Sequence, residues 1–178
     1  MVSSQELDIA GVKLISLKRH SDQRGWINES WRDTWSEQLA IPDRFVQDML
    51  SWNDHAYTLR GMHALTIDQY KLVSVINGSV FDVVVDARKD SITYGKYVSV
   101  ELSKSTSNML LVPPGCYHGY LTLESNTAVA YKVSHYHSAD HDSGIAWNDP
   151  DIDISWPLDG VSPTVSGRDQ THPLLKNL

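Results

Sequence analysis

Residues 57–86 place three ionisable side chains inside runs that otherwise have the composition of β-strands: YTLRGMHALTIDQYKLVSVINGSVFDVVVD. Arg60, His63 and Lys71 stand at positions where a filled core would normally have Val or Ile. Imidazole exchanges a proton near neutral pH, and Arg and Lys bind or stabilise anionic oxygens. Such side chains suit a polar cavity, so the strands that carry them must leave a cavity open.

Strand phase also favours a lined cavity. In KYVSVELS (96–103) apolar and polar residues alternate, as in an antiparallel strand with one buried face. The same parity puts Lys71 on the apolar face of KLVSVI and Tyr131 on the apolar face of TAVAYKVSHY. An amine and a phenol at the ends of apolar stripes indicate a cavity. The alternative is that Lys71 ends its strand in water and Tyr131 is a core tyrosine with a satisfied hydroxyl.

The stretch PPGCYHGY has the spacing of a metal motif. Pro113, Gly115 and His118 form P-x-G-x-x-H, the second metal motif of cupin-type jelly rolls. The first motif requires a paired H-x-H, whereas this chain has His63 followed by Ala64 and Leu65. A transition-metal site needs three or four converging ligands. With only His63 and His118 on offer, the sequence predicts a cupin barrel without its metal.

A rival metal site lies in SHYHSADHDSG, where His135, His137 and His141 cluster with Asp140 and Asp142. His135 and His137 would share one strand face and could both ligate. The segment nevertheless has the composition of a strand end that runs into a polar loop. The sequence favours solvated histidines there.

The strands that must position these residues recur at roughly 8–15-residue intervals, separated by turn signals. They are VKLISLK, GWINESW, FVQDML, YTLRGMH, KLVSVI, SVFDVVVD, KYVSVELS, NMLLVP, YHGYLTL and TAVAYKVSHY. Their number predicts an all-β double-sheet jelly roll, a cupin barrel with short helices and an irregular C-terminal tail. INGS is expected to form a tight hairpin, DTWSEQLAI two helical turns, and IDISW one further short strand.

Composition limits the partners. A chain of 178 residues fits one domain, and its net charge of −7 gives no electrostatic footprint for nucleic acid or an anionic membrane. The single cysteine, Cys116, excludes an intrachain disulfide. The N-terminal residues lack a signal core, and no run approaches the ~20 apolar residues of a membrane span. We expect a soluble, cytoplasmic protein.

The motifs together resemble one family over nearly the whole chain. RGWINES, FVQD, LRGMH, KLVSVINGSVFDVVVDAR, SITYGKYVSVELS, VPPGCYHGYL, AYKVSHY, GIAWNDPDIDISWP and VSGRD occur in the order found in the dTDP-4-dehydrorhamnose 3,5-epimerase family. That resemblance implies a cofactor-independent isomerase that inverts C3, C5 or both of a nucleotide-diphosphate-linked 4-keto-6-deoxy sugar. It also implies deoxysugar biosynthesis, for a surface polysaccharide or a glycosylated natural product, as the setting.

The resemblance assigns roles to the ionisable residues. His63 matches the base that removes a proton acidified by the C4 ketone, and Asp169 matches the carboxylate that orients it. Tyr131 matches the acid on the opposite face of the sugar. Lys71 and His118 match polar residues of the same pocket, where Lys71 would stabilise an enolate at the C4 oxygen.

The nucleotide site is also inferred from the resemblance. Arg24, Glu29 and Gln47 match nucleotide-binding positions, and Arg60 would bind diphosphate oxygens. Tyr136 and His137 stand where an aromatic residue often stacks on the base. For Arg24 the alternative is a turn arginine in DQRGW with a surface partner.

Three positions depart from the family pattern: Leu65 replaces the usual Gln, Met49 the usual Asn, and His137 the usual aromatic residue. The segment from His63 to Lys71 is also about two residues shorter. Thymidine remains the default base, with a cytidine- or guanosine-linked sugar as the alternative.

Other functions and assemblies stay open at this stage. A sugar-nucleotide 3,4-ketoisomerase would have a second histidine soon after His63, where Ala64 and Leu65 stand. A metal-dependent cupin oxygenase lacks ligands, and a non-catalytic sugar-binding cupin would leave the ionisable set without a joint purpose. The resemblance further implies a homodimer in which an N-terminal arm, about residues 1–30, is exchanged. The C-terminal tail, about 159–178, carries Asp169.

Overall fold

The β-branched and aromatic runs of the sequence form strands throughout the computed structural model, which describes residues 2–41 and 44–178. The strands are β1 Ser3–Glu6, β2 Lys13–Ser16, β3 His20–Asp22, β4 Gly25–Ile27, β5 Gln47–Asn53, β6 Thr58–Leu65, β7 Lys71–Asn77, β8 Ser79–Asp86, β9 Tyr97–Ser103, β10 Met109–Val112, β11 Cys116–Thr122, β12 Thr127–Val133, β13 Asp142–Gly144 and β14 Thr164–Val165. Helix α1 spans Trp35–Leu39, and 3-10 turns span Ala139–His141 and Leu175–Asn177. Within the described residues, no helix has the length and apolar character needed to cross a membrane.

Two large sheets face each other. The first has the order β1-β2-β10-β7-β12-β5, and the second has the order β13-β6-β11-β8-β9 with β14 added in parallel to β6. All other pairings in both sheets are antiparallel, and β3 and β4 form a separate ribbon. This arrangement confirms the predicted double-sheet jelly roll.

The main core lies between the sheets. Val73 of β7 and Val129 of β12 contact Val84 of β8 and Leu102 of β9 there, and all four are fully buried. Val98 and Val100 pack against the same cluster, which confirms the alternation read in KYVSVELS. Residues on the first sheet's inner face therefore look towards β6 and β11, the strands that carry His63 and His118.

Both sheets are also covered on part of their outer faces. Trp35 and Leu39 of α1 pack on Leu72 of the first sheet. Ile152 and Leu175, from the segment after β13, pack with Val83 and Val85 of the second sheet. Strand β8 is consequently buried on both sides, which explains the nearly continuous apolar run in SVFDVVVD.

Two local predictions were wrong. INGS is not a hairpin, because β7 belongs to the first sheet and β8 to the second, so Gly78 turns the chain from one sheet to the other at a φ of +77°. IDISW forms no strand; Ile152, Ile154 and Trp156 instead pack irregularly on the second sheet, and Trp156 Nε1 donates to the Trp147 carbonyl at 2.9 Å.

Candidate active site

An open cavity of about 550 Å³ lies between the sheets and is lined by most of the residues singled out in the sequence. Arg60 and His63 enter it from β6 and His118 from β11. Lys71 of β7 and Tyr131 of β12 line it from the first sheet. His137 and Asp169 complete this set from the loop after β12 and from the C-terminal tail. The lined cavity predicted from strand phase is therefore present.

His63 and Asp169 form the central pair. His63 Nε2 and Asp169 Oδ1 are 2.8 Å apart, although the two residues are separated by 106 positions in sequence. The other carboxylate oxygen, Oδ2, accepts the backbone N–H of Gly61 at 3.1 Å, and Ser166 Oγ accepts the Asp169 N–H at 3.1 Å. These bonds fix the carboxylate against β6, directly beside the imidazole.

In each residue of this pair, burial and hydrogen bonding act on the pKa in opposite directions. Burial lowers the pKa of His63 below its ordinary value, and Asp169 opposes that effect without cancelling it. For Asp169, burial acts to raise the pKa, but the donors on Gly61 and His63 outweigh it and the pKa is lowered. An ionised carboxylate beside a neutral imidazole is thus the favoured state near pH 7.

Lys71 is an enclosed ammonium at the end of β7. Its Nζ donates to the backbone carbonyl of His63 at 3.0 Å, and its charge is close enough to help lower the pKa of the imidazole. Burial lowers the pKa of Lys71 to about 8, while the carboxylates of Asp142 and Asp82 act in the opposite direction. Lys71 is therefore mostly protonated at pH 7 and sensitive to small rises in pH.

Tyr131 lies on the sheet opposite His63. In β12 it pairs with Val73 of β7 on one side and Met49 of β5 on the other. Burial and the nearby Tyr120 raise the pKa of Tyr131, and the Arg60 guanidinium opposes them. A tyrosine with a raised pKa keeps its proton at neutral pH and can donate it.

His118 is held by a buried carboxylate. Its Nε2 lies 2.8 Å from Asp82 Oδ1, and the Asp82 side chain is 0% exposed. Asp82 Oδ2 has no hydrogen-bond partner among the described residues. His118 is therefore engaged by Asp82.

One group of potential metal ligands converges in the described part of the chain. It consists of His63, Asp169 and His172, whose ligand atoms all lie within 4.8 Å of one another. Two of the three already share the hydrogen bond described above. Among the described residues, the rival cluster of His135, His137 and His141 does not converge: the His141 Nδ1 lies 3.2 Å from Thr66 Oγ1, and His137 lines the cavity instead.

Four predicted binding residues do not reach the cavity of their own chain. Arg24 is exposed and paired with Asp22 at 2.6 Å, which is the surface partner that the alternative reading anticipated. Glu29 is paired with Arg32 in the same N-terminal segment. Gln47 contributes indirectly, because its Oε1 accepts the His137 N–H at 2.9 Å, and Tyr136 is largely exposed.

Three residues of the site were missed in the sequence. Arg168 and Asp142 line the cavity and form a 2.7 Å ion pair, and His172 lies behind Asp169. Arg168 directly precedes Asp169, and His172 is three residues beyond it, so proximity to a recognised carboxylate was an available signal. Asp142 was considered only as a metal ligand, and its position on the β13 edge beside β6 depends on tertiary structure.

A double-sheet jelly roll with an open cavity between its sheets, lined by a His–carboxylate pair, a half-buried lysine and tyrosines, defines a cupin-type barrel equipped for proton transfer. The chain belongs to the dTDP-4-dehydrorhamnose 3,5-epimerase family, a family of isomerases, whose model matches residues 6–177.

Comparisons with individual proteins agree over nearly the full length. The chain is 41% identical over 176 residues to the dTDP-4-dehydrorhamnose 3,5-epimerase of Sinorhizobium fredii, covering 98% of this chain and 90% of that protein. It is similar to the crystal structure of dTDP-6-deoxy-D-glucose-3,5-epimerase from Legionella pneumophila in complex with dTDP-4-keto-L-rhamnose, with a TM-score of 0.95, 36% identity and coverage of 99% and 94%. The dTDP-4-dehydrorhamnose 3,5-epimerase of Bacillus anthracis with TDP and PPi bound gives a TM-score of 0.92, 40% identity and coverage of 98% and 99%.

Proposed function

We propose that this protein is a cofactor-independent epimerase that inverts C3, C5 or both of a dTDP-linked 4-keto-6-deoxy sugar. The observation that carries the proposal is that His63 and Tyr131 extend from opposite sheets into one cavity, which Lys71 also lines with its Nζ 3.0 Å from the backbone carbonyl of His63. Epimerisation requires removal of a proton from one face of the sugar and delivery to the other. Two proton-transfer groups on facing sheets meet that requirement.

His63 acts as the base. An ionised carboxylate can only accept hydrogen bonds, so Asp169 fixes the proton of neutral His63 on Nε2. The lone pair is then on Nδ1, which takes the proton alpha to the ketone. Asp169 stabilises the imidazolium that results.

Lys71 stabilises the charge that proton removal creates. When the C–H bond breaks, its electron pair moves to the C4 oxygen and forms an enolate. An ammonium held in an enclosed site can lower the barrier of such a step by several kcal/mol. The proton state of Lys71 therefore matters as much as that of His63.

Tyr131 completes the inversion. The enolate collapses to the ketone and takes a proton at the same carbon from the tyrosine hydroxyl, on the face opposite His63. The tyrosinate and the imidazolium then return to their starting states by proton exchange with solvent. Solvent hydrogen consequently enters the inverted centre.

The activated sugar is proposed to be a dTDP derivative because the Legionella and Bacillus proteins are described with dTDP-4-keto-L-rhamnose and with TDP bound. Arg60 is the cavity residue suited to the diphosphate, since its Nε is fixed by Asn53 Oδ1 at 2.8 Å while a terminal nitrogen remains near the exposed carbonyl of Trp52. Met49 and His137 at the cavity wall are the positions at which a different base would be selected.

Deuterium incorporation tests the proposal. The wild-type protein in heavy water should introduce deuterium at C3, C5 or both of TDP-4-keto-6-deoxyglucose, detected by NMR or mass spectrometry. His63→Ala should abolish the uptake, whereas His55→Ala, at an exposed loop position outside the cavity, should leave it unchanged. CDP- and GDP-linked sugars run in parallel identify the base. Absence of uptake with all three substrates would contradict the proposal and favour a binding protein.

A further inference from the structure

His172 is a nearly enclosed imidazole that the proposed mechanism leaves unused. Its side chain is 11% exposed, and its Nε2 is buried without a hydrogen-bond partner in the described part of the chain. A buried polar nitrogen of this kind costs free energy unless some state of the protein satisfies it. The carboxylate that contacts His63 lies 3.6 Å from this nitrogen.

The distances tie His172 to the His63–Asp169 pair. His172 Nε2 is 3.6 Å from Asp169 Oδ1, the same oxygen that lies 2.8 Å from His63 Nε2. The two imidazole rings meet edge to face, with centroids 5.6 Å apart and planes at 81°. The His172 ring thus packs against the His63 ring, and its Nε2 is a second neighbour of the Asp169 oxygen that His63 contacts.

The fold leaves room for this ring. Gly144 of β13 pairs directly with His63 of β6, and a Cβ added to Gly144 would overlap the His172 imidazole. The side chain of residue 172 therefore occupies the space that a larger residue at position 144 would fill. His172 fits a gap in the sheet edge immediately beside the proposed base.

We propose that His172 is a positioning residue: a shift of a few tenths of an ångström brings its Nε2–H from 3.6 Å into hydrogen-bond distance of the Asp169 oxygen shared with His63, and its ring fixes the orientation of the His63 imidazole. This inference rests on the proposed function in assigning His63 as the base. A second donor on Oδ1 spreads the negative charge of the carboxylate and weakens its hold on the His63 proton. His63 consequently stays neutral, and able to accept a proton, to lower pH.

The other charged groups near His63 do not replace this effect. Lys71 approaches His63 from β7 and also lowers the pKa of His63, whereas Asp169 is the group that raises that pKa. His118 of β11 pairs with His63 in the sheet, but its side chain is bonded to Asp82. Arg168 in the tail is neutralised by Asp142 of β13. His172 is the neighbour that contacts both members of the pair.

Two variants separate hydrogen bonding from packing. His172→Gln retains an N–H donor near the position of Nε2, whereas His172→Phe retains an aromatic ring and removes the donor. We expect His172→Phe to raise the pKa of His63 by about 0.5–1 unit, the size of one neutral hydrogen bond, and to move the acidic limb of kcat/KM to higher pH by the same amount. His172→Gln should restore most of the wild-type profile.

The pKa is read directly by NMR titration of ¹⁵N-histidine-labelled protein without substrate, with the His63 signal assigned through His63→Asn. This measurement does not depend on turnover, so failure of the proposed epimerase activity and failure of the His172 assignment give different results. An unchanged His63 pKa in His172→Phe, or equal shifts in both variants, would overturn the inference. If His172→Phe does not fold, the wild-type spectrum decides: an Nε2–H tautomer at His172 supports the inference, and an Nδ1–H tautomer refutes it.

Discussion

Lys71 is the side chain whose charge should set the alkaline side of the pH profile. Its pKa is lowered by burial from 10.5 to about 8, so the ammonium is present below that pH and lost above it. We expect kcat/KM to fall as pH rises through about 8, and Lys71→Met to lower kcat by about 10²–10³-fold. Deuterium uptake as a function of pH measures both effects.

The control for Lys71 is a surface lysine. Lys176 forms an exposed 3.0 Å ion pair with Asp151, and Lys176→Met should change neither the rate nor the alkaline limb. An alkaline limb that persists in Lys71→Met would assign the titration to a different group. Tyr131 would not be the candidate for a limb near pH 8, because burial raises its pKa above the ordinary value of a tyrosine.

Among individual residues, the sequence predicted most of those that line the cavity but not the neighbouring residues that contact them. Lys71 and Tyr131 could be placed by strand parity, because side chains alternate strictly along a strand. Asp169 could be placed only by its motif, since its contact with His63 spans 106 positions and no periodicity links the two. His172 and Asp142 were not recognised as site residues, because their approach to β6 depends on how the tail and the β13 edge dock.

Among the elements, the corner between β7 and β8 makes a sharp stability prediction. Gly78 has a φ of +77°, and an added Cβ would overlap the side-chain oxygen of Thr127, which is 0% exposed. Gly160 has a similar φ of +82° but nothing within 4 Å of the added atom. Gly160→Ala should cost about 1–2 kcal/mol from the left-handed backbone alone, and Gly78→Ala about 1–3 kcal/mol more from the clash.

Urea unfolding of the two glycine variants measures the difference. Equal losses in the free energy of unfolding would mean that Thr127 moves aside freely. The corner also explains why INGS misled the sequence reading. Asn-Gly reports only that the backbone must turn with φ > 0, and that requirement is the same whether the next strand pairs with its predecessor or joins the opposite sheet.

One buried carboxylate contributes to the attachment of the tail that carries Asp169. Asp149 is 2% exposed, and its two oxygens accept the N–H groups of Asp151 and Leu175 at 2.9 and 2.8 Å. Asp149→Ala leaves both donors unsatisfied and should cost about 2–6 kcal/mol. Because the same tail positions Asp169, deuterium uptake by the variant should fall together with the melting temperature.

Asp149→Asn is the matched control, since it keeps one acceptor oxygen and should lose about half as much stability. Hydrogen exchange of the Leu175 amide reports the attachment directly. A variant in which that amide exchanges faster while the Asp169-dependent activity is retained would show that the two ends of the tail are independent.

At the scale of the whole molecule, the outer face of the first sheet is unusually apolar. Leu50, Trp52 and Ile76 are 70%, 52% and 59% exposed, and Leu50 and Ile76 line a groove of about 300 Å³ that also includes Ser30 of the N-terminal segment. Trp26 and Ile27, in the ribbon of β3 and β4, are exposed as well. Apolar side chains grouped in this way commonly mark an interface.

The partner that we propose for this face is a second copy of the chain, which would also complete the site. Arg24 and Glu29, which are predicted to bind the nucleotide, are paired only with local surface residues in the isolated chain. An exchanged arm in a symmetric dimer would cover the apolar face and bring these residues to the neighbouring cavity together. The interface and the nucleotide site then depend on the same contact.

Charges placed in the groove test this coupling. We expect wild type to sediment as a dimer and Leu50→Asp combined with Ile76→Asp to sediment as a monomer, because two carboxylates would be desolvated at the proposed interface. Ile92→Asp, at an isolated position that is 101% exposed on the β8–β9 loop, should leave the dimer intact. The monomeric variant should also bind TDP more weakly than wild type, by an amount that Arg24→Ala in the dimer reproduces. If the monomer binds TDP with wild-type affinity, Arg24 and Glu29 do not contribute to the nucleotide site of a neighbouring chain. Arg24 would then be a surface residue paired with Asp22.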